Sequence, residues 1–329
     1  MVADTMTADP SLYQLLSQFW LREPDADALA RIHAQAGLSF DGDPSALATA
    51  YADLFLLNVY PYGTAYTDEW GELNTPEARE TAALYARHAY QPRELTEVGA
   101  PDHLGLCLGF LAHRPRLWQS GKTEEAVARF LDDLIGWSPV CCLAAERDPS
   151  AHPFYQALAR LTRETILANI APLRTSRHAP LVVTGYQPGE ELRLRDVVRF
   201  LLIPARCGMF LSRSRLGALA LALGTRLPFG ARFDVAQWLF TCAGEGGQID
   251  ALLRLLRAEA DEWSGAYRVW AEQWTTWQKP AAQWLARLEA TRRLLDEMAR
   301  LAREGVAIEY ANPADDQPPE PYRQAEVDE

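Results

Sequence analysis

The sequence contains no apolar run that approaches the roughly 20 residues needed for a membrane-spanning helix. Its opening residues, MVADTMTADPSLYQ, are acidic and show no basic segment followed by an apolar one, so no secretory signal is expected. The five cysteines are odd in number, Cys141 and Cys142 are adjacent, and no C-x-x-C pair occurs. These absences predict a cytoplasmic protein with reduced thiols, no stable membrane insertion and no metal site.

Several catalytic and ligand-binding motifs are also missing. There is no G-x-S-x-G or H-E-x-x-H, and the run Gly244–Gly247 is not followed by the Lys-Ser/Thr of a P-loop. Residues 211–240 have the rhythm of a helix-turn-helix, but the second helix of that pair carries Arg232 beside Asp234 and is not basic. With a net charge of −12, the chain is not expected to bind nucleic acid, whereas a basic peptide would suit it.

Apolar residues, by contrast, are abundant. They make up 48% of the chain and mostly recur at spacings of three and four. This periodicity predicts an all-α protein. Breaks in the helical pattern divide it into a helical domain over residues 11–175, a linker over 176–192 and a C-terminal helical lobe over 193–310. Residues 311–329 contain six acids, one arginine and several prolines, which predicts a disordered acidic tail.

The C-terminal lobe contains a stripe of large aromatic residues at helical spacing. Trp263, Tyr267, Trp270, Trp274 and Trp277 follow one another in steps of four, three, four and three, so one helix face would carry all five. The stripe is interpreted either as packing against the core or as a groove for an apolar helix, and packing is the commoner use. Pro280 is expected to break or kink the chain before a last helix over residues 281–303.

An earlier helix of this lobe has recognisable ends. Ser212 or Ser214 can cap a helix that runs through Ala220, and Gly224 can stop it.

The most informative segment is EVGAPDHLGLCLGFLAH, residues 97–113. Pro101 suits the first position of an apolar helix, so Asp102 is expected in the first turn, where the helix dipole favours a carboxylate. Asp102 beside His103 has two interpretations: an acid that orients a general base, or simply the start of a helix. The residues alone leave both open.

Three other blocks accompany this segment in order. They are YADLF with YPYGTAY over residues 51–66, FLDDLIGWSP over 130–139 and HPFYQALA over 152–159. Together with Asp-His-Leu before a hydrophobic helix, they resemble the TorD/DmsD/NarJ-like chaperones that escort molybdenum enzymes, and the resemblance spans about residues 12–175. The chain departs from the family pattern at Thr64, where serine is usual, and at Cys107 and Gly109, where many members carry glutamates.

The resemblance implies a TorD-like helical bundle with an additional C-terminal helical lobe. It implies a chaperone, not an enzyme, with no cofactor of its own. Its partners would be the apo catalytic subunit of a molybdopterin oxidoreductase and that subunit's twin-arginine leader peptide. The chaperone would assist cofactor insertion and delay export, as a monomer or a domain-swapped dimer. Trp137 and Pro139 are expected at a turn between helices.

Seven residues are candidates for the peptide-binding site. The resemblance implies that Asp102 and His103 lie at the site, and acids with neighbouring aromatic rings in the segment 60–72 suit the guanidinium groups of a leader. The candidates are Asp102, His103, Tyr62, Tyr66, Trp70, Glu69 and Glu72. The acidic segment is equally consistent with a solvated loop, which is the usual outcome for a run of charges.

Two alternatives to the export chaperone stay open. The first is a helical assembly adaptor for a redox enzyme that is not exported, whose client would lack a twin-arginine leader. The second is a small-molecule enzyme that uses Asp102 and His103, which predicts a deep pocket with convergent polar groups instead of a shallow groove.

Overall fold

The computed structural model describes residues 9–40, 42–72, 75–115, 124–170 and 193–305, and within these ranges the protein is all-α, as predicted. The predicted linker 176–192 and tail 311–329 lie outside the described residues. The first part of the chain forms α1 (Pro10–Leu21), α2 (Ala26–Ala36), α3 (Pro44–Tyr51), a π-helix (Ala52–Asn58), α4 (Thr64–Thr67), α5 (Pro76–Arg87), α6 (Leu95–Val98), α7 (Leu104–His113), α8 (Glu125–Arg147) and α9 (Pro153–Asn169). The second part forms α10 (Leu194–Leu202), α11 (Pro204–Cys207), α12 (Arg213–Ala222), α13 (Arg232–Glu245), α14 (Ile249–Gln273) and α15 (Thr275–Arg303).

Side-chain caps explain where many of these helices begin. Asp9 and Asp43 each precede a proline and accept a hydrogen bond from a backbone N–H in the first turn. Proline is favoured at the first helical position because its missing N–H would have had no partner there. Ser212 caps α12 by accepting from Arg215 N at 3.0 Å, as predicted, and the helix stops before Gly224, whose φ is +73°.

The first bundle is organised around α7, which is buried along nearly its whole length. Helix α1 lies directly against α7, so close that the Ser17 hydroxyl donates a hydrogen bond to Gly105 O at 2.6 Å. Helices α8 and α9 form the second major pair, and Trp20 of α1 donates to Thr162 of α9 at 3.0 Å. The first bundle is thus held by contacts between helices distant in sequence.

The prediction that Trp137 and Pro139 lie at a turn is wrong, because both lie inside α8 and are buried. A proline inside a helix leaves the carbonyl four residues earlier without its usual donor. One residue further along, Gly136 O accepts a 2.7 Å hydrogen bond from Trp284 Nε1 of α15. Packing from another helix therefore supports the backbone just before the proline.

The C-terminal lobe is dominated by an antiparallel hairpin of α14 and α15. Arg292 Nη2 lies 2.6 Å from Asp261, and Arg257 pairs with Asp296, which fixes the direction of the two helices. The interpretation of the aromatic stripe as core packing is confirmed for four of its five members, which are buried, whereas Trp274 is only partly buried. The buried members are Trp263, Tyr267, Trp270 and Trp277, and Trp284 is buried as well.

The break between these helices is not where the sequence predicts it. Helix α14 ends at Gln273, Trp274 takes an extended conformation with φ −127° and ψ 115°, and α15 runs through Pro280. The chain reverses at Trp274 so that the rings of Trp270 and Trp277 can pack 5.9 Å apart. The predicted break at Pro280 is wrong because proline near the start of α15 removes only one hydrogen bond of that helix.

Helices on both sides of the predicted linker share one buried core, and polar contacts join them. The buried carboxylate of Asp148, after α8, accepts from Ser214 Oγ at 2.6 Å. Ser214 N in turn donates to Oδ1 of Asn58, the last residue of the π-helix, at 2.9 Å. Arg147 pairs with Glu259 of α14 at 3.3 Å. The division into two lobes stays a prediction, and these contacts define the junction between them.

All five cysteines are free. Cys107, Cys141, Cys142 and Cys207 are buried, whereas Cys242 on α13 is partly exposed. Burial raises the pKa of the Cys107, Cys141 and Cys207 thiols to about 12. In the part of the chain that the structure describes, no helix is both long enough and apolar enough to cross a membrane.

Candidate functional site

The segment before α4 and the segment before α7 are paired to form a corner. Tyr62 and His103 form an isolated antiparallel β-bridge, Leu104 N donates to Pro61 O at 2.7 Å, and Gly63 N donates to Asp102 O at 3.1 Å. Four of the seven predicted site residues, those at positions 62, 66, 102 and 103, lie on or next to this corner. We call the paired residues 61–64 and 102–104 the corner.

Asp102 connects the corner to α4. Its carboxylate is buried, and Oδ2 accepts from Thr64 N, at the start of α4, at 2.7 Å. The other oxygen, Oδ1, is buried and has no hydrogen-bond partner among the described residues. The prediction that Asp102 lies in the first turn of its own helix is wrong: α7 begins at Leu104, and Asp102 binds the start of a different helix.

His103 is the N-cap of α7. Its Nδ1 accepts from Gly105 N at 3.1 Å, so the proton of the neutral ring is on Nε2. The ring packs edge-to-face against Tyr62 with 4.9 Å between centroids. Burial lowers the pKa of His103 to about 3, because the charged imidazolium would lose its hydration. His103 is therefore a neutral capping residue at physiological pH.

The two tyrosines of the YPYGTAY block differ in exposure. Tyr62 is half-buried and donates to Val98 O at 2.8 Å, and burial with the nearby Asp102 charge raises its pKa. Tyr66 is fully buried and stacks on Trp137 with 6.0 Å between centroids. Gly63 lies under the same indole, where a Cβ would come 2.9 Å from Trp137 Nε1. The block thus needs glycine at this position so that Trp137 can approach.

The loop after α4 carries the exposed candidates. Asp68 Oδ2 accepts from Trp70 N at 2.7 Å and from Glu72 N at 3.2 Å, which folds residues 68–72 into a tight turn. Trp70 is 45% exposed, Glu72 is exposed and Glu69 is half-buried. We call residues 68–72 the acidic loop.

An arginine from the second lobe already lies on this loop. The guanidinium of Arg206, in α11, lies 4.8 Å from the centroid of the Trp70 ring, and its Nε donates to Glu69 O at 2.6 Å. The sequence could not indicate this contact, since 136 positions separate Arg206 from Trp70 and no local pattern connects them. The structure thus places a guanidinium group against the Trp70 ring and the backbone of Glu69.

The seven predicted residues fall into two groups. Tyr62, Asp102 and His103 meet at the corner, with Tyr66 next to it on the inner face of α4, whereas Glu69, Trp70 and Glu72 lie on the acidic loop. The two groups are connected through α4, whose first N–H binds Asp102 and whose last residue, Thr67, precedes the loop. The corner is the buried support, and the loop is the accessible surface.

This arrangement does not form an acid–imidazole pair. Asp102 binds the backbone of Thr64 and His103 binds the backbone of Gly105, so neither side chain orients the other. A general base needs a pKa near the working pH, and His103 titrates near 3. A polar cleft of about 170 Å³ lies between α1 and α2, but it is lined by residues between Gln18 and Arg31 and not by the corner or the loop.

Comparison with known proteins gives one match. The family model described as nitrate reductase delta subunit matches residues 21–142, and all seven predicted site residues lie inside that range. This confirms the resemblance to NarJ/TorD-like chaperones over those residues. The HPFYQALA block at 152–159 lies beyond the match. Neither a curated protein nor a solved structure matches the chain.

Proposed function

Because residues 21–142 match the model of the nitrate reductase delta subunit family, which groups NarJ/TorD-like chaperones, we propose that this chain is a cytoplasmic chaperone for the apo catalytic subunit of a molybdopterin oxidoreductase. It would hold that subunit for cofactor insertion and bind its twin-arginine leader, so that export is delayed. The observation that carries this proposal is the family match, which contains both the corner and the acidic loop.

We propose that the leader's arginine side chains bind on the acidic loop. Trp70 offers an exposed ring for cation–π stacking, and Glu69 and Glu72 offer carboxylates that suit the two-pronged guanidinium. The position of Arg206 against Trp70 supports this, because it demonstrates that a guanidinium fits the loop. Tyr62 would contribute a partly exposed ring beside the corner.

Asp102, His103 and Tyr66 would act indirectly, because all three are buried. Asp102 fixes the start of α4, His103 caps α7, and Tyr66 anchors α4 against Trp137. Removal of these groups would let α4 shift and carry the acidic loop with it. They are therefore proposed as positioning residues for peptide binding.

The first experiment is affinity purification of the chain from its native host, with co-purified proteins identified by mass spectrometry. Recovery of a molybdopterin-enzyme subunit with an uncut leader supports the export chaperone. Recovery of such a subunit without a leader supports the alternative of an assembly adaptor for a redox enzyme that is not exported. Absence of any such subunit, from cells that produce these enzymes, would count against both.

Variants then test the site. Trp70→Ala and the pair Glu69→Gln with Glu72→Gln should each weaken binding of a synthetic twin-arginine peptide several-fold, since each removes a contact worth about 0.5–2 kcal/mol. Glu245→Gln combined with Glu272→Gln removes the same two charges at exposed positions of α13 and α14, so this pair is the matched control and should have no effect. If Asp102→Ala combined with His103→Ala leaves client binding unchanged in a folded protein, the positioning role is refuted.

A further inference from the structure

The acidic loop is occupied in the free protein, and its occupant belongs to the same chain. Arg206 lies in α11, which packs on α4, and Ile203 touches the loop near Gly71. The Arg206 guanidinium covers one face of Trp70 and donates one hydrogen bond to Glu69 O. The second lobe therefore reaches the loop through a side chain of the type that a twin-arginine leader carries.

Arg206 forms only some of the interactions that a guanidinium could form on the acidic loop. Its hydrogen bond goes to a backbone carbonyl, and among the described residues no carboxylate lies within ion-pair distance of its guanidinium. Burial, together with Arg199 nearby, lowers the pKa of Arg206, whereas Glu69 and Asp68 raise it. A guanidinium has five N–H donors and pairs best with a carboxylate in two parallel hydrogen bonds. Arg206 uses one of these donors on the loop.

An arginine of a bound peptide could form the ion pair with a carboxylate of the acidic loop that Arg206 does not form. The carboxylates of Glu69 and Glu72 form no ion pair in the described part of the chain, and both are accessible. A leader arginine could stack on Trp70 and pair with one of them at the same time. It would need the ring face and the Glu69 carbonyl that Arg206 now uses, so the two guanidinium groups compete.

We propose that Arg206 is a resident competitor at the leader-binding loop, and that a leader's arginine must displace it to bind. This inference rests on the proposed function. The apparent affinity of the loop is its intrinsic affinity multiplied by the fraction of time that Arg206 leaves it free, as for any site whose competent state is only partly populated. Displacement also removes a contact between the acidic loop and α11, so leader binding loosens one link between the two predicted lobes.

The test compares a labelled peptide that has Arg-Arg before an apolar run with the same peptide carrying Lys-Lys, by fluorescence anisotropy. Arg206→Ala should bind the Arg-Arg peptide about tenfold more tightly than wild type, since one cation–π contact and one hydrogen bond no longer have to be broken. The Lys-Lys peptide should gain less, because an ammonium cannot form the two-pronged pair. Arg206→Lys should fall between wild type and Arg206→Ala.

Arg213→Ala is the matched control. Arg213 is also a stacked arginine of the second lobe, with its guanidinium 4.7 Å from the Phe229 ring centroid, but it does not touch the acidic loop. It should leave both affinities unchanged. In a Trp70→Ala background, Arg206→Ala should increase the affinity less, because the shared ring is gone and only the Glu69 carbonyl is still contested. Arg206→Gln replaces Arg206→Ala if thermal unfolding shows that the alanine variant is not folded.

The outcomes separate the two proposals. If wild type binds the Arg-Arg peptide and Arg206→Ala binds it equally or more weakly, competition by Arg206 is refuted while leader binding stands. If neither protein binds the peptide, the leader-binding part of the proposed function fails, and the competition fails with it. A gain that is equally large without Trp70 would also refute the inference, because competition for the ring would then contribute nothing.

Discussion

Helices α1 and α7 lie close together because Gly105 and Gly109 of α7 have no side chains. We therefore expect Gly105→Ala to destabilise the protein. A Cβ at Gly105 would lie 2.5 Å from Leu21 Cγ and 3.0 Å from the backbone oxygen of Ser17. Side chains can rotate away, but Ser17 O moves only if α1 moves. The substitution should therefore push the two helices apart and strain the Ser17–Gly105 hydrogen bond.

The size of the effect follows from three terms. Alanine is favoured over glycine inside a helix by about 1 kcal/mol, overpacking a core costs about 1–3 kcal/mol, and a lost hydrogen bond costs about 0.5–1.5 kcal/mol. The expected net loss in the free energy of unfolding is about 1–3 kcal/mol. Gly109→Ala should cost less, because its closest neighbour is the hydroxyl at the end of the Tyr90 side chain, at 2.3 Å from the added Cβ, which can move.

Gly136→Ala is the matched control. Gly136 is also helical, but a Cβ there would meet nothing within 4 Å, so only the favourable helix term remains. The free energy of unfolding, measured by urea titration followed with circular dichroism at 222 nm, should rise by up to about 1 kcal/mol. If Gly105→Ala proves as stable as Gly136→Ala, then α1 does not lie as close to α7 as described.

Two further predictions concern buried polar groups. The pKa of His103 is about 3 in the folded protein and near 6.5 when unfolded, so the unfolded state binds the extra proton first as pH falls. His103 should therefore lower the free energy of unfolding by about 2 kcal/mol between pH 7 and pH 5. In urea titrations, His103→Gln should lose this pH-dependent decrease, whereas His33→Gln, at an exposed position, should keep it. Ser214→Ala should lower the free energy of unfolding by about 1–3 kcal/mol, because one oxygen of the buried Asp148 carboxylate loses its donor. The control is Ser45→Ala, at an exposed position. If a thermal scan gives the two variants the same melting temperature, the contact of Ser214 with Asp148 does not stabilise the junction between the lobes.

Local patterns predicted the helical class and several helix ends well. The Ser212 cap, the stop at Gly224 and the buried aromatic stripe all follow from residues within a few positions of one another. The reversal at Trp274 could not be predicted in this way, because the aromatic spacing of three and four continues through it. The chain folds back there because the two long helices bury more surface side by side than end to end.

The candidate site shows the same limit. Pro101 looked like the first helical residue by local rules, but the pairing of segment 102–104 with the distant segment 61–64 extends the chain and delays the helix to Leu104. The prediction therefore named residues that the structure brings together at the corner, but it gave Asp102 the wrong partner. Arg206 was missed altogether, since only the folded chain brings α11 to the acidic loop.

Because four of the five thiols are buried, Cys242 is the one cysteine of the native protein that is open to thiol-specific labelling. A thiol reacts through its thiolate, and burial makes thiolate formation hard at Cys107, Cys141, Cys142 and Cys207. A maleimide dye added to the folded protein near pH 7 should therefore attach at Cys242, on the second lobe, without any substitution. With a second dye on a leader peptide, energy transfer between the two dyes would report the distance between the bound peptide and the second lobe as binding occurs.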